Sequence, residues 1–295
     1  MIKDSLTRHW LSALLIFLLC PVAFAQENFL DYVSEMDDTP PSSLWMEYQS
    51  NEDDSTDFYM DLGLYLNPSN TLKIGVGESQ LHDAGQSIDT DNYDIQLVHH
   101  ISRNIDIGIG YSYWGNKDEL WTETLDLLFV VHGDDISIRL QPRFSTLNIY
   151  TVPITGQRRL VESNSDGWGV SLSYYAIKNW TFNLAATDYN YEVDLTKLNT
   201  LLARIIFSNA TLLLSDNFLE KSTSFEIIRQ FKNFDLGLVI GQSVSAIDHS
   251  DIDNYAINLE WYIHPDYSLF METGETIPES GDPGTYVTAG FSALF

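Results

Sequence analysis

The sequence predicts an all-β protein: a transmembrane, antiparallel, up-and-down β-barrel of about sixteen strands, with fourteen as the alternative. Three observations carry this expectation. Segment after segment alternates apolar and polar residues, the period of two that sends successive side chains to opposite faces of a strand. Short turns alternate along the chain with longer acidic loops. After residue 25 no apolar run is long enough for a spanning helix, so a crossing of lipid falls to strands closed into a ring.

The N-terminus reads as an export signal. Lys3 and Arg8 precede the apolar stretch Trp10 to Leu19, and Ala23-Phe24-Ala25 is a small-x-small cleavage site. Residues 1–25 therefore form a signal peptide with mature chain beginning at Gln26. A retained anchor is the competing reading, but the apolar run is short and ends at Pro21. Cys20 is the sole cysteine, and Leu19 stands before it where a lipoprotein site would have a small residue. The mature chain then has no thiol, which excludes disulfides, thiolate metal sites and cysteine nucleophiles. Residues 26–42 are acidic and proline-rich at their end, a short periplasmic segment before a barrel over 43–295.

Strands follow almost without pause. Leu44, Met46 and Tyr48 oppose Trp45, Glu47 and Gln49. Phe58, Met60, Leu62, Leu64 and Leu66 point outward, with Asp57, Tyr59, Asp61, Gly63 and Tyr65 inward. Asn67-Pro68-Ser69-Asn70 is a turn by composition. Leu72, Ile74 and Val76 then oppose Lys73, Gly75 and Gly77. A polar loop is expected around His82 to Asp91, leading to Tyr93, Ile95 and Leu97 against Asp94, Gln96 and Val98. Past the Arg103-Asn104 turn, Ile105 to Tyr113 alternate with Asp106, Gly108, Gly110, Ser112 and Trp114. Leu125, Leu127, Phe129 and Val131 share a face, with Asp126 behind them, before a turn at Gly133-Asp134. Ile136, Ile138 and Leu140 oppose Ser137, Arg139 and Gln141. Tyr150 to Asp166 reads as the longest irregular stretch and the one loop able to narrow a pore. Trp168 to Tyr174 and Phe182 to Ala186 flank the turn at Lys178-Asn179. Asp194 to Ser208 mixes helical and alternating spacing; a strand there, with a turn at Ser208-Asn209, gives sixteen, and a helix gives fourteen. Phe234 to Ile240, Tyr255 to Trp261 and Tyr267 to Met271 complete the series around Lys232-Asn233 and Pro265-Asp266.

The last strand is the most telling. In Gly284 to Phe295, Val287, Ala289, Phe291, Ala293 and Phe295 share one face, opposite Thr288, Gly290 and Ser292. A soluble sheet seldom leaves so apolar a strand at its edge, whereas a closed barrel pairs it with the first strand. This ending resembles the C-terminal strand of Gram-negative outer-membrane β-barrel proteins, porin-like in character. That resemblance implies that Val287, Ala289, Phe291 and Phe295 form a signal for the barrel-assembly machinery. It also implies residence in the cell outer membrane, with lipid and lipopolysaccharide as surroundings.

Composition narrows the functions. With 15 Lys+Arg against 42 Asp+Glu the formal charge is −27, and the signal peptide removes Lys3 and Arg8 against Asp4, leaving −28. That balance excludes nucleic acid, whose phosphates need cationic neutralisation. A secreted β-sandwich is the competing fold, yet the inward Asp, Gly, Ser, Gln and Arg would sit unsatisfied in a dry core.

No catalytic, cofactor-binding or metal motif emerges. His99 and His100 are adjacent in a strand and point to opposite faces, so they cannot chelate together. His132 and His264 lie beside turns, where an interfacial histidine is expected. His82 and His249 lie near Asp83 and Asp251, but no signature of an outer-membrane hydrolase accompanies them. Gly75-x-Gly77 and Gly108-x-Gly110 follow the strand period and open no helix, so they are not phosphate loops. The run Asp89 to Asp94 and the group Asp248, Asp251 and Asp253 offer oxygen ligands but lack the glycine and distal glutamate of a calcium loop. Divalent cations bridging these acidic loops to lipopolysaccharide phosphates are the one metal partner expected.

A barrel of about sixteen strands encloses water. The expected function is a porin-like passive channel, not an enzyme, without cofactor and preferring cations. Candidate pore-lining residues are Asp57, Tyr59, Asp61, Lys73, Asp94, Asp106, Trp114, Asp126, Arg139 and Asp235, with Arg204 as a further counter-charge. Carboxylates on a pore wall raise the local cation concentration. The alternative is a barrel serving as a sleeve for a partner protein or an exported polysaccharide, or as a surface-binding protein. In that case inward Trp45, Tyr59, Tyr65 and Trp114 would be stacking platforms. The oligomeric state is not legible.

Overall fold

The computed structural model describes residues 41–52, 54–83, 86–118, 120–151, 159–192, 219–246, 249–279 and 283–295. They form fourteen strands. The first seven are β1 (Ser43–Asn51), β2 (Thr56–Asn67), β3 (Asn70–Asp83), β4 (Gln86–Ser102), β5 (Ile105–Asn116), β6 (Leu120–His132) and β7 (Ile136–Thr151). The second seven are β8 (Arg159–Tyr174), β9 (Trp180–Tyr191), β10 (Leu219–Gln230), β11 (Phe234–Ser245), β12 (Asp251–His264), β13 (Tyr267–Pro278) and β14 (Gly284–Leu294). Each pairs antiparallel with its neighbours in sequence, and β14 returns to β1 in a register running from Ser43 opposite Leu294 to Asn51 opposite Tyr286. Phe295 and Ser42 extend the seam, each backbone N–H donating 2.9 Å to the other's carbonyl. The sheet has no free edge.

Fourteen strands, the alternative, are what the ring contains; the sixteen expected are not reached. The two extra strands were placed on 194–220, and most of that stretch, with Arg204, lies outside the described residues. What decides the count is that β9 pairs directly with β10, from Trp180 opposite Arg229 to Asp188 opposite Lys221. The ring closes without anything between them.

Two loops expected from polarity are strand instead. The polar stretch around His82 to Asp91 continues β3 and β4, which pair out to Asp83 opposite Gln86. Of the irregular Tyr150 to Asp166, β7 and β8 take all but residues 152–158, which are not described. Strands of 16 or 17 residues are longer than a bilayer requires, so their far ends project into water, where acidic side chains are at ease. Polarity marks where lipid ends, not where the strand ends.

Six tight turns cluster at one end, with both ends of the barrel sequence. Their chemistry is local: Asn67 Oδ1 accepts from Ser69 N (3.0 Å) and Asn70 Nδ2 (2.9 Å), and Asn179 adopts φ 68, a left-handed conformation asparagine tolerates.

The exterior is apolar. Ile95, Leu97, Ile109, Phe129, Leu184, Ile240 and Met271 are all exposed on it, an arrangement lipid accommodates and water does not. Aromatic residues border this band towards both ends: Tyr267 stacked on Phe291 at 6.1 Å and Trp180 on Phe182 at 6.3 Å near the tight turns, and Tyr48, Phe58, Tyr93 and Trp168 towards the other. Arg229 lies 5.2 Å from the Trp180 ring and 5.0 Å from Phe231, a cation anchored at the level of the aromatic belt. Among the described residues no helix is long and apolar enough to cross a membrane.

Candidate functional site

The site is the lumen, and its walls follow from the strand period. Lys73, Asp106 and Arg139 line one cavity of about 560 Å³ on the tight-turn side. Tyr59, Asp94, Trp114 and Asp126 line a second of about 280 Å³ farther along the barrel. Asp57 and Asp61 alternate with Phe58 and Met60 and share the Tyr59 face. Asp235, paired with Glu260, accepts a hydrogen bond from Tyr262 Oη at 2.9 Å. All ten sequence-selected residues thus lie on inward faces.

They are not a row of free charges. Tyr59 Oη donates 2.6 Å to Asp94 Oδ2, and Ser79 Oγ donates 2.6 Å to Asp57 Oδ1. Asp126 accepts from Gln141 Nε2 and lies 3.9 Å from Arg143 Nε, while Arg143 Nη1 donates to the Tyr189 hydroxyl. Such pairs satisfy inward polar groups but also spend part of the charge on the wall.

Of the four rings expected as stacking platforms, Trp45 and Trp114 are packed against neighbours. Trp114 is buried. Trp45 is tilted against Phe270 at 5.4 Å and donates 3.0 Å to Glu47 Oε2. Trp114 nevertheless borders the smaller cavity together with Tyr59.

Two features were missed in the sequence. The first is a histidine pair closed on one carboxylate: His100 Nδ1 lies 2.8 Å from Asp106 Oδ1, and His132 Nε2 lies 2.9 Å from Asp106 Oδ2. Their other ring nitrogens meet Thr71 Oγ1 (3.0 Å) and Ser137 Oγ (3.3 Å). His132 is therefore a lumen residue, not an interfacial one. The signal was the hairpin register, which sets His100 opposite Asp106 across the Arg103-Asn104 turn. Thr71, His100 and Asp106 stand in the order of a nucleophile, base and carboxylate. Yet β3 is hydrogen-bonded to β2 and β4 on either side here, so its backbone amides are spent in the ladder and offer no oxyanion pocket.

The second feature is apolar. Leu81, Trp114, Leu120, Leu147, Ile149, Ala246 and Ile252 form one buried cluster, with Ile88 and Tyr191 against it. In a ring of fourteen, β5 and β12 stand diametrically opposite, so a cluster joining Trp114 to Ile252 crosses the lumen. The inward face is polar in its middle and apolar at the end away from the tight turns. Val98, Leu128 and Val130 add a smaller apolar patch on the wall of the larger cavity.

The carboxylates of Asp89 to Asp94 do not share one face, and of the second acidic group Asp248 lies outside the described residues. Asp89 and Asp91 face outward while Thr90, Asn92 and Asp94 face inward, and among the described residues no group of three His, Cys, Asp or Glu is poised around one point.

No family model and no curated protein sequence matches this chain. Among solved structures, the barrel is similar to the CymD monoaromatic hydrocarbon channel with a TM-score of 0.55 at 6% sequence identity, over 89% of this chain and 90% of that one. It also aligns with the NanC porin (TM-score 0.47, 9% identity, 86% of this chain and 100% of that one). OmpT of Vibrio cholerae aligns with a TM-score of 0.48 at 10% identity, over 86% of this chain and 96% of that one. At such identities the likeness is one of fold: a closed antiparallel barrel shared with a membrane channel.

Proposed function

We propose that this chain is a porin-like passive channel of the Gram-negative outer membrane, with a lumen that prefers cations. The observation that carries it is a polar cavity inside an apolar barrel: Arg139 stands exposed on the inner wall of a 560 Å³ cavity. A charged guanidinium so placed requires water around it. Cation preference rests on the excess of inward carboxylates, Glu47, Asp61, Glu226, Glu260 and Glu272 among them, over Lys73, Arg139 and Arg143. In this reading the signal peptide exports the chain, the tight turns face the periplasm, and the outward face of β14 with Phe295 engages the assembly machinery. The apolar band meets lipid and lipopolysaccharide, and the acidic outer ends hold divalent cations only as bridges to lipid phosphates.

The deciding experiment is single-channel recording from refolded mature chain in planar bilayers under a salt gradient. Discrete openings with a cation-selective reversal potential are expected. Openings with an anion-selective reversal would remove the cation preference. A heat-modifiable, membrane-inserted barrel that never conducts would overturn the channel. That last outcome would favour the second reading, a sleeve awaiting a partner, for which the apolar cluster across the lumen is the favouring observation.

A further inference from the structure

The larger cavity carries charges of both signs at separate points around its wall. The cationic pair is Lys73 of β3 and Arg139 of β7. Among the described residues neither lies within ion-pair distance of a carboxylate; Lys73 feels the charge of Asp61 on the neighbouring strand, and Asp106, the carboxylate lining this cavity between the two cations, is taken by His100 and His132. The anionic pair is Glu226 of β10, half a ring from Lys73 and three strands from Arg139, and Glu272 of β13. Glu226 is held by two amides, Asn183 Nδ2 at 2.8 Å and Asn258 Nδ2 at 2.9 Å, and Glu272 accepts from Tyr286 Oη at 3.0 Å. Among the described residues neither glutamate meets a cation. A carboxylate offers about four acceptor positions, so these donors fix Glu226 and Glu272 in place and leave room for an ammonium.

Charges of both signs that face one cavity without pairing with each other are complementary to a solute carrying both. The cavity lies in the size range of small-molecule sites. We propose that this chamber binds short zwitterions of the dipeptide class, the solute's carboxylate against Arg139 and Lys73 and its ammonium against Glu226 and Glu272. The proposal deepens the channel reading and rests on it for the solute's route into the lumen. Planar guanidinium–carboxylate pairing favours Arg139 as the principal anchor.

The test is saturation-transfer NMR of diglycine with the refolded barrel in nanodiscs, with ethylammonium, propionate and glycerol as singly charged and neutral probes. Diglycine is expected to bind more tightly than all three. Arg139→Gln and Glu226→Gln should each weaken diglycine about tenfold. Ethylammonium should respond only to Glu226→Gln and propionate only to Arg139→Gln, while Lys221→Gln, on the outer face, changes nothing. Acetyl-diglycine and diglycinamide, each missing one charge, should lose about tenfold without any change to the protein, which keeps the test intact if a variant fails to fold. Diglycine binding no tighter than glycerol, or a loss that follows one charge only, would overturn the proposal. A barrel that binds diglycine but never conducts would sink the channel reading and leave the site standing. Conduction without binding would do the reverse.

Discussion

At the scale of single residues, the interior is governed by how closely strands and side chains approach. Gly75 faces inward between Asp61 of β2 and Asp94 of β4. A Cβ there would collide with the Asp94 carboxylate and the Tyr59 hydroxyl, the two groups joined by the 2.6 Å hydrogen bond. Gly75→Ala should therefore break that bond or push both groups into the smaller cavity, at a cost of about 1–3 kcal/mol. The expected result is a lower urea midpoint for the lipid-embedded barrel; an unchanged midpoint would show that the Tyr59–Asp94 pair can move aside freely. Sequence pattern assigned Gly75, Tyr59 and Asp94 to the inner face correctly because alternation depends only on the strand period. Who bonds whom was not legible, because partners such as Tyr59 and Asp94 are 35 positions apart and meet only through the register of three strands. His132 illustrates the same limit: its neighbours in sequence suggest an interface, and its neighbours in space are Asp106 and Ser137.

At the scale of elements, the outward faces were legible strand by strand, since lipid imposes one rule on every such residue. The inward faces obey no single rule. Nothing local in the sequence tells that Leu81, Leu147 and Ile252 converge from β3, β7 and β12. Their convergence narrows the lumen with an apolar patch, a barrier that opposes ions by dewetting as well as by size. Replacing two opposed members by small polar residues, Leu147→Ser with Ile252→Ser, should hydrate the patch and raise single-channel conductance by about twofold or more. The barrel should survive the change, because its strands are held by the hydrogen-bond ladder and the lipid-facing band, not by a central core. A doubly substituted barrel that inserts, shows heat-modifiable mobility and conducts no better than the parent would place the limiting constriction elsewhere.

At the scale of the whole molecule, closure decides what is dispensable. A ring tolerates insertion between adjacent strands if the strands pair without it, because loop length costs only weakly through chain entropy. Polar and apolar residues between 194 and 220 suggested two more strands, but periodicity cannot tell a strand inside the ring from a segment outside it; pairing can. β9 and β10 pair along nine residues of each, and Tyr191 Oη donates 3.0 Å to the Leu219 carbonyl. The two strand ends flanking the segment are thus within hydrogen-bond reach of each other. Replacing residues 194–217 by a short Gly-Ser linker should leave a barrel that refolds, resists unfolding in detergent until heated, and keeps its β-sheet circular dichroism. If those residues supplied strands to the wall, their loss would open the ring at β9 and β10. Two unpaired edges would then be exposed to lipid, where each unsatisfied backbone group costs several kcal/mol, and the chain would aggregate instead of refolding. Recovery of a heat-modifiable monomer band is therefore the observation that fixes fourteen as the strand number, and its absence would return the count to sixteen.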